Sequence, residues 1–139
     1  MRNLAKFSLF LMFLFTLTVG HTVSATENAK AETEVTVKKD VTVYYFHNAR
    51  RCMTCKTLES EAKNAVESLY GGEVKFVAYN LEDATGKKKA VELGINGQSL
   101  LIVGSDKKIN ITNEGFLNAR TNPDKFRQII KDKIDPLLG

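Results

Sequence analysis

The stretch VTVYYFHNARRCMTCKTLESEAKNAVESLYGG, residues 41–72, decides how this chain folds. It begins with a run of β-branched and aromatic residues, Val41 to Phe46, which predicts a buried strand. From Cys52 to Tyr70, small and apolar residues recur at steps of three and four, which predicts an amphipathic helix. Gly71-Gly72 predicts the end of that helix. The sequence therefore places a C-x-x-C motif, Cys52 to Cys55, where a buried strand gives way to a helix.

The rest of the chain continues this alternation of strands and helices. The early strand–helix–strand order requires a right-handed crossover and parallel pairing, whereas the last two strands are joined tightly and should pair antiparallel. We therefore expect an α/β fold with a mixed central sheet of four to five strands and helices on both faces. The predicted elements are strands at Glu34–Val37, Val74–Tyr79, Leu100–Val103 and Lys107–Thr112, a helix at Thr85–Leu93, and a last helix that Asn122 caps, with Pro123 at its first position.

The N-terminal residues resemble a secretory signal peptide. Arg2 and Lys6 precede an apolar run from Phe7 to Val19, and small residues follow at Val23-Ser24-Ala25. We expect residues 1–25 to be a signal peptide, residues 26–33 a flexible leader and residues 34–139 the folded domain. The apolar run is short for a membrane span, which needs about 20 residues. We therefore expect export to the bacterial periplasm or another extracytoplasmic space without a permanent membrane anchor; an uncleaved anchor is the alternative.

The charge of the chain does not favour nucleic acid as a partner. The net charge is +4, from 20 basic and 16 acidic residues. Residues 1–25 contribute two of the basic residues and none of the acidic ones, so 18 basic and 16 acidic residues remain after them, a net charge of +2. The cluster Lys87-Lys88-Lys89 is best interpreted as a solvated helix face.

The two cysteines of the chain both lie in this motif and suit thiol–disulfide exchange. Cys52 should lie at the helix N-terminus, where backbone N–H groups and the helix dipole favour a thiolate, the attacking species in exchange. Arg50 and Arg51 add positive charge just before it, so we predict that they tune the thiolate. Cys55 falls one turn later on the apolar face, where it can resolve a mixed disulfide. A bridge this short would restrain little of the unfolded chain, so a stapling role is a poor explanation.

Two alternatives to a redox role remain open at this point. In the first alternative, the same pair of thiols holds Cu(I) or Zn(II). Zinc requires four ligands, whereas the chain offers two cysteines and, as a candidate third ligand, His47. His47 could also tune the thiolate, or it could simply cap the turn after the strand. The second alternative is that the protein is a structural or interaction module in which the disulfide is incidental.

Together these segments resemble the thioredoxin superfamily over about residues 41–139. The resemblance covers Tyr44-Tyr45-Phe46 before Cys52-x-x-Cys55-Lys56, Asn80-Leu81-Glu82-Asp83 after the second strand, and the segment from Gly94 to Ile102. More narrowly, Tyr45-Phe46-His47 with Arg51-Cys52-x-Thr54-Cys55-Lys56 is similar to small exported bacterial proteins labelled the nitrophenyl compound nitroreductase subunit ArsF family. The resemblance implies a thioredoxin-like fold and an oxidoreductase that uses thiol chemistry. The chain carries no flavin-binding or nicotinamide-binding signature, so we expect no cofactor.

The resemblance also implies that Gln98 and Ser99 face the cysteine pair. Ser99 falls where thioredoxins carry a cis-proline, and a cis bond before a non-proline residue costs about 2.5–4 kcal/mol, so we predict a trans Gln98–Ser99 bond. Further departures are Arg51 in place of tryptophan, Met53-Thr54 in place of Gly-Pro, and no aspartate on the preceding strand. These differences imply a specialised protein dithiol or disulfide partner. A membrane electron donor is expected if the protein is a reductase; the sequence leaves the direction of electron flow open.

Overall fold

The structure is a computed structural model that describes residues 39–139. The described elements follow each other in the order strand, helix, strand, helix, strand, strand, helix, helix. Their bounds are β1 Thr42–His47, α1 Met53–Tyr70, β2 Lys75–Asn80, α2 Ala84–Glu92, β3 Ser99–Val103, β4 Lys108–Asn110, α3 Thr112–Asn118 and α4 Pro123–Leu138. The predicted signal peptide (residues 1–25), the leader (residues 26–33) and the strand at Glu34–Val37 lie outside the described residues.

The four strands form one mixed sheet in the order β2-β1-β3-β4. Strand β1 pairs in parallel with β2, with Thr42 opposite Lys75, and antiparallel with β3, with Phe46 opposite Ser99. Strands β3 and β4 pair antiparallel, as their short connection predicts. The mixed α/β architecture expected from the sequence is thus confirmed, and the arrangement is compatible with a thioredoxin-like fold.

Helices cover both faces of the sheet, because successive side chains of a strand point to opposite sides. On one face, Val43, Tyr45 and Leu58 belong to a large core that α1, α3 and α4 complete. On the other face, Phe46 and Leu101 form a smaller cluster with Ala90 of α2. The apolar stripe predicted for α1 faces the core: Cys55, Leu58, Ala62, Ala65 and Val66 are buried, and Leu69, its last predicted member, is partly buried.

Helix α3 was not predicted, and strand β4 is shorter than predicted. The expected strand at Lys107–Thr112 ends at Asn110, because the Asn110 side chain accepts a hydrogen bond from the backbone N–H of Thr112 (3.0 Å) and starts a turn there. The Thr112 hydroxyl in turn accepts a hydrogen bond from the backbone N–H of Leu100 (2.8 Å), which fixes the start of α3 to the sheet.

The ends of α1 and α4 are those that the sequence predicts. Gly71 closes α1 in the left-handed conformation (φ 53°), which glycine adopts at little cost, and its N–H bonds the carbonyl of Glu67. Asn122 caps α4 by accepting from the backbone N–H of Lys125, with Pro123 at the first helical position. None of the helices in residues 39–139 combines the length and the apolar character that crossing a membrane requires.

Candidate functional site

The cysteine pair lies at the junction of the β1–α1 connection and α1, as the sequence predicts. Cys52 is the N-cap residue of α1, in an extended conformation, and its side chain is exposed. Cys55 lies one turn into the helix and is buried. The two sulfur atoms are 2.9 Å apart and both cysteines are free. Because a disulfide bond joins sulfurs at about 2.05 Å, only a small movement of the side chains separates the dithiol from the geometry of the disulfide that its oxidation would form.

The surroundings of Cys52 favour its thiolate. The pKa of the Cys52 thiol is lowered, first by its hydrogen bond with the Cys55 side chain and next by the backbone N–H of Cys55, with the backbone N–H of Thr54 also contributing. These N–H groups belong to the first turn of α1 and have no carbonyl partner within the helix. An exposed thiol with a lowered pKa is the combination that makes a cysteine reactive.

The two arginines before the motif are placed differently from each other. Arg51 is half-buried and forms an ion pair with Glu59, two turns along α1. Glu59 therefore does not pair with Lys63, its i,i+4 neighbour on the helix; Lys63 pairs with Glu67 instead (3.8 Å). The largest causes of the lowered pKa of Cys52 are hydrogen bonds, and neither Arg50 nor Arg51 is among these largest causes. Their tuning of the thiolate stays a prediction, and the contacts of Arg51 indicate that it holds the connection against α1.

Further hydrogen bonds hold the connection between β1 and Cys52. The backbone N–H of Ala49 donates to the Glu82 carboxylate (2.8 Å), in the turn that precedes α2. The backbone N–H of Leu81 donates to the carbonyl of His47 (2.8 Å). The His47 ring nitrogen Nδ1 bonds the carbonyl oxygen of Asn48 (2.9 Å), which is the turn-capping role considered for this residue. The segment that presents Cys52 is thus fixed by α1 and by the turn between β2 and α2.

Gln98 directly precedes β3 and Ser99 begins it, and of the two side chains only that of Gln98 hydrogen-bonds a cysteine. The Gln98–Ser99 peptide bond is trans, as predicted. The Ser99 hydroxyl donates to the carbonyl of Gly97 (3.0 Å) rather than to a cysteine. The Cys55 thiol donates to the side-chain oxygen of Gln98 (3.7 Å), a weak sulfur hydrogen bond. Of the two residues expected to face the pair, the structure brings Gln98 against Cys55.

Tyr45 is the residue at this site that sequence analysis assigned only to the core. Its ring is fully buried, but its hydroxyl donates to the carbonyl of Cys55 (3.1 Å) and accepts a hydrogen bond from the Gln98 amide. A buried tyrosine hydroxyl normally finds a partner. The predicted buried strand carries a tyrosine rather than a phenylalanine at position 45. That hydroxyl was the feature of the sequence that could have indicated a polar contact here.

The described residues provide few side chains that could together ligate a metal ion. Within residues 39–139, no group of three or more His, Cys, Asp or Glu side chains could hold a metal ion together. The two thiols are the donors that this site supplies, fewer than the four ligands of a structural zinc site.

Comparisons with known proteins leave the family open. No family model matches the chain, and no curated protein matches its sequence. A solved structure titled "Structure of a malarial protein" is similar with a TM-score of 0.46 and 15% identity, over 66% of this chain and 96% of that one. A likeness of this strength identifies neither a family nor a function.

Proposed function

We propose that the protein is a thiol–disulfide oxidoreductase that cycles between the Cys52–Cys55 dithiol and disulfide. The observation that carries this proposal is the pairing of an exposed, activated thiol with a buried thiol whose sulfur lies 2.9 Å away. Two-step exchange needs one sulfur that partners can reach and a second that only the first can reach. The resemblance to exported thioredoxin-like proteins agrees with this chemistry.

In the reducing direction, the Cys52 thiolate attacks one sulfur of a partner's disulfide. The partner's S–S bond breaks, a mixed disulfide with Cys52 forms, and the other partner sulfur leaves as a thiolate that takes a proton from solvent. Cys55 then loses its proton to solvent and attacks the Cys52 sulfur. The second partner sulfur leaves, so the partner is reduced by two electrons and the Cys52–Cys55 pair is oxidised. An oxidase would run the same steps in reverse.

The partner in this proposal is a protein dithiol or disulfide in an extracytoplasmic compartment. Exposed Met53 (69% exposed) directly follows Cys52 and offers apolar surface beside the reacting sulfur. The Arg51–Glu59 ion pair borders the same turn. These features differ from the tryptophan and Gly-Pro of thioredoxins, which supports a narrower choice of partner.

Trapping of mixed disulfides in cells tests the assigned roles of the two cysteines. A Cys55→Ser variant lacks the resolving thiol, so we expect it to accumulate disulfide-linked complexes that disappear on reduction in a gel. A Cys52→Ser variant should accumulate none, because its remaining thiol is buried. Equal trapping by the two variants, or none by either, would contradict the assignment.

A metal-handling role of the same cysteines is distinguished by metal analysis of the reduced protein. Cu(I) bound in a one-to-one ratio that both Cys→Ser variants lose, together with no trapped complexes, would favour that role over exchange.

A further inference from the structure

A closed set of hydrogen bonds joins Cys55, Gln98 and Tyr45. The Gln98 amide nitrogen donates to the Tyr45 hydroxyl, and that hydroxyl donates to the carbonyl of Cys55. The Gln98 side-chain oxygen lies 3.7 Å from the Cys55 sulfur, where it can accept the thiol proton. Cys55 and Tyr45 are buried and Gln98 is half-buried, so little water competes for these bonds. Each of the three side chains thereby has a polar partner.

The Cys55 thiol has one proton and two acceptors for it. In the reduced protein the Cys52 sulfur lies at 2.9 Å and the Gln98 oxygen at 3.7 Å, so the proton favours the Cys52 thiolate. When Cys52 is bonded to a partner's sulfur, it carries no negative charge and becomes a weak acceptor. Among residues 39–139, Gln98 is then the side-chain hydrogen-bond partner that remains for the Cys55 thiol.

We propose that Gln98 is a positioning residue for the second step of exchange, in which its amide reverses and donates a hydrogen bond to the Cys55 thiolate. This inference rests on the proposed function. In the step itself, Cys55 releases its proton to solvent, its sulfur forms a bond to the Cys52 sulfur, and the bond between Cys52 and the partner breaks. The partner's sulfur leaves with the electron pair and takes a proton from solvent, so the charge is balanced.

Glutamine suits this role because its side chain presents an acceptor on one side and two donors on the other. With the oxygen toward Cys55 it accepts from the thiol; with the NH₂ group toward Cys55 it donates to the thiolate. A thiolate buried without a donor would be strongly disfavoured.

Tyr45 suits both orientations of the amide. Its hydroxyl can accept from the Gln98 NH₂ group, as in the structure, or rotate and donate to the Gln98 oxygen after reversal. The carbonyl of Cys55 keeps its acceptor role within α1 when the hydroxyl turns away. The pKa of Tyr45 is raised, mainly by burial, so its hydroxyl keeps the proton that it donates.

Several titratable or charged groups of the described residues lie near this set of hydrogen bonds. Cys52, Cys55 and Arg51 act electrostatically on Tyr45, and the His47 ring lies 5.8 Å from the Tyr45 ring. Arg51 is paired with Glu59. A pH dependence that belongs to Gln98 must therefore persist when His47 is replaced by Asn.

The test uses one equivalent of an aromatic disulfide, dithiobis(nitrobenzoate), which contains two coloured thiolate groups. Attack by Cys52 releases the first coloured thiolate, and attack by Cys55 on the mixed disulfide releases the second, so the two steps are observed separately. Stopped-flow absorbance gives the rate of Cys52 attack from the first release and the rate of resolution by Cys55 from the second. The variants are Gln98→Met, which keeps the length without hydrogen bonds, Gln98→Glu, which is an acceptor only, and Tyr45→Phe. Gln128→Met, Gln128→Glu and Tyr70→Phe make the same changes far from the cysteines, on α4 and at the end of α1.

Loss of a hydrogen bond to a charged group changes an equilibrium by about 10- to 100-fold. We expect Gln98→Met to slow resolution by about tenfold or more and to move the midpoint of its pH–rate profile upward, by about one pH unit per tenfold. Gln98→Glu should slow it further at neutral pH, because a carboxylate repels the thiolate. Tyr45→Phe should have a smaller effect of the same sign. In Gln98→Met and Tyr45→Phe the second release should slow more than the first. The Gln128 and Tyr70 controls should keep both release rates within about twofold of the wild type, and circular dichroism checks that every variant is folded.

Unchanged resolution rates and pH midpoints in both Gln98 variants would overturn the proposal, as would equal changes in the Gln128 controls. So would slowing without any shift of the midpoint, which is the result expected of a purely structural role. Failure of the proposed function has a different signature, since the wild-type protein would then release one coloured thiolate without a second.

Discussion

Replacing Gly86 with alanine should destabilise the protein and loosen the segment before Cys52. Gly86 is buried in α2, and a Cβ atom there would lie 1.9 Å from the carbonyl oxygen of Asn80 and 2.7 Å from its carbon. These are backbone atoms at the end of β2, so no side-chain rotation relieves the overlap. The Asn80 carbonyl also accepts a hydrogen bond from the backbone N–H of Asp83 (3.2 Å), which a shift of α2 would weaken.

The size of the effect follows from three contributions. Overpacking a tight site costs about 1–3 kcal/mol. Weakening the hydrogen bond to Asn80 costs about 1 kcal/mol. The higher helix propensity of alanine returns about 1 kcal/mol. The net loss is about 1–3 kcal/mol, which for a domain of this size lowers Tm by roughly 5–20 °C.

Thermal and urea unfolding followed by circular dichroism measure this loss, and Gly104→Ala is the matched control. The three atoms nearest to a Cβ atom at Gly104 would be Leu137 side-chain atoms at 3.6–3.7 Å, an ordinary contact. Because Glu82, which binds the N–H of Ala49, lies in the turn beside Asn80, the first step of exchange should also slow in Gly86→Ala. A Gly86→Ala protein as stable as the wild type would refute the account of how α2 packs on β2.

Three further predictions concern the pKa of Cys52 and the stability that a hydrogen bond between α1 and α4 provides. Cys55→Ala should raise the pKa of Cys52, since it removes the Cys55 thiol, whose hydrogen bond is the largest cause of the lowered pKa. Thiolate absorbance against pH measures this pKa, and an unchanged curve would contradict this cause. The same titration of an Arg50→Ala, Arg51→Ala double variant tests the predicted tuning, which requires the pKa of Cys52 to rise. Tyr70→Phe should lower stability at neutral pH, because the Tyr70 hydroxyl donates to Asp135 (2.8 Å) and joins α1 to α4. The pKa of Asp135 is lowered, first by Lys131 and then by Tyr70. The stability that the Tyr70–Asp135 hydrogen bond contributes is therefore present above about pH 3.9, the pKa of an unfolded aspartate, and is lost as the pH falls through the lower pKa of the folded protein. Urea unfolding should show the difference in stability between wild type and Tyr70→Phe shrinking over that pH range, and a constant difference would contradict this account.

Much of the fold was predictable because local pattern and tertiary packing agree. The β-branched run before the motif, the apolar stripe of α1 and the cap at Asn122 each specify one element. Helix α3 was missed because its seven residues are too few for a clear apolar periodicity and follow directly after β4. The contact of α3 with Leu58 depends on Gly115, where a Cβ atom would lie 2.5 Å from a Leu58 methyl carbon.

The candidate site was predictable in its cysteines but not in its hydrogen bonds. The C-x-x-C spacing and the strand-to-helix junction place Cys52 at the helix start and Cys55 inside. The bonds from Gln98 and Tyr45 join residues 43 and 53 positions apart in sequence, and such contacts depend on the register of β1 with β3. The ion pair of Arg51 with Glu59 likewise depends on how the connection turns before α1.

Equilibration of the purified protein in glutathione redox buffers is the most direct test of the central claim that Cys52 and Cys55 form a reversible redox pair. Free thiols are blocked with an alkylating reagent at each potential, and mass spectrometry counts the blocked cysteines. We expect one reversible transition between dithiol and intramolecular disulfide, with a tenfold change in their ratio for about every 30 mV, as a two-electron couple requires. A pair that stays reduced at every buffer ratio, or that forms only glutathione adducts without the Cys52–Cys55 bond, would contradict it.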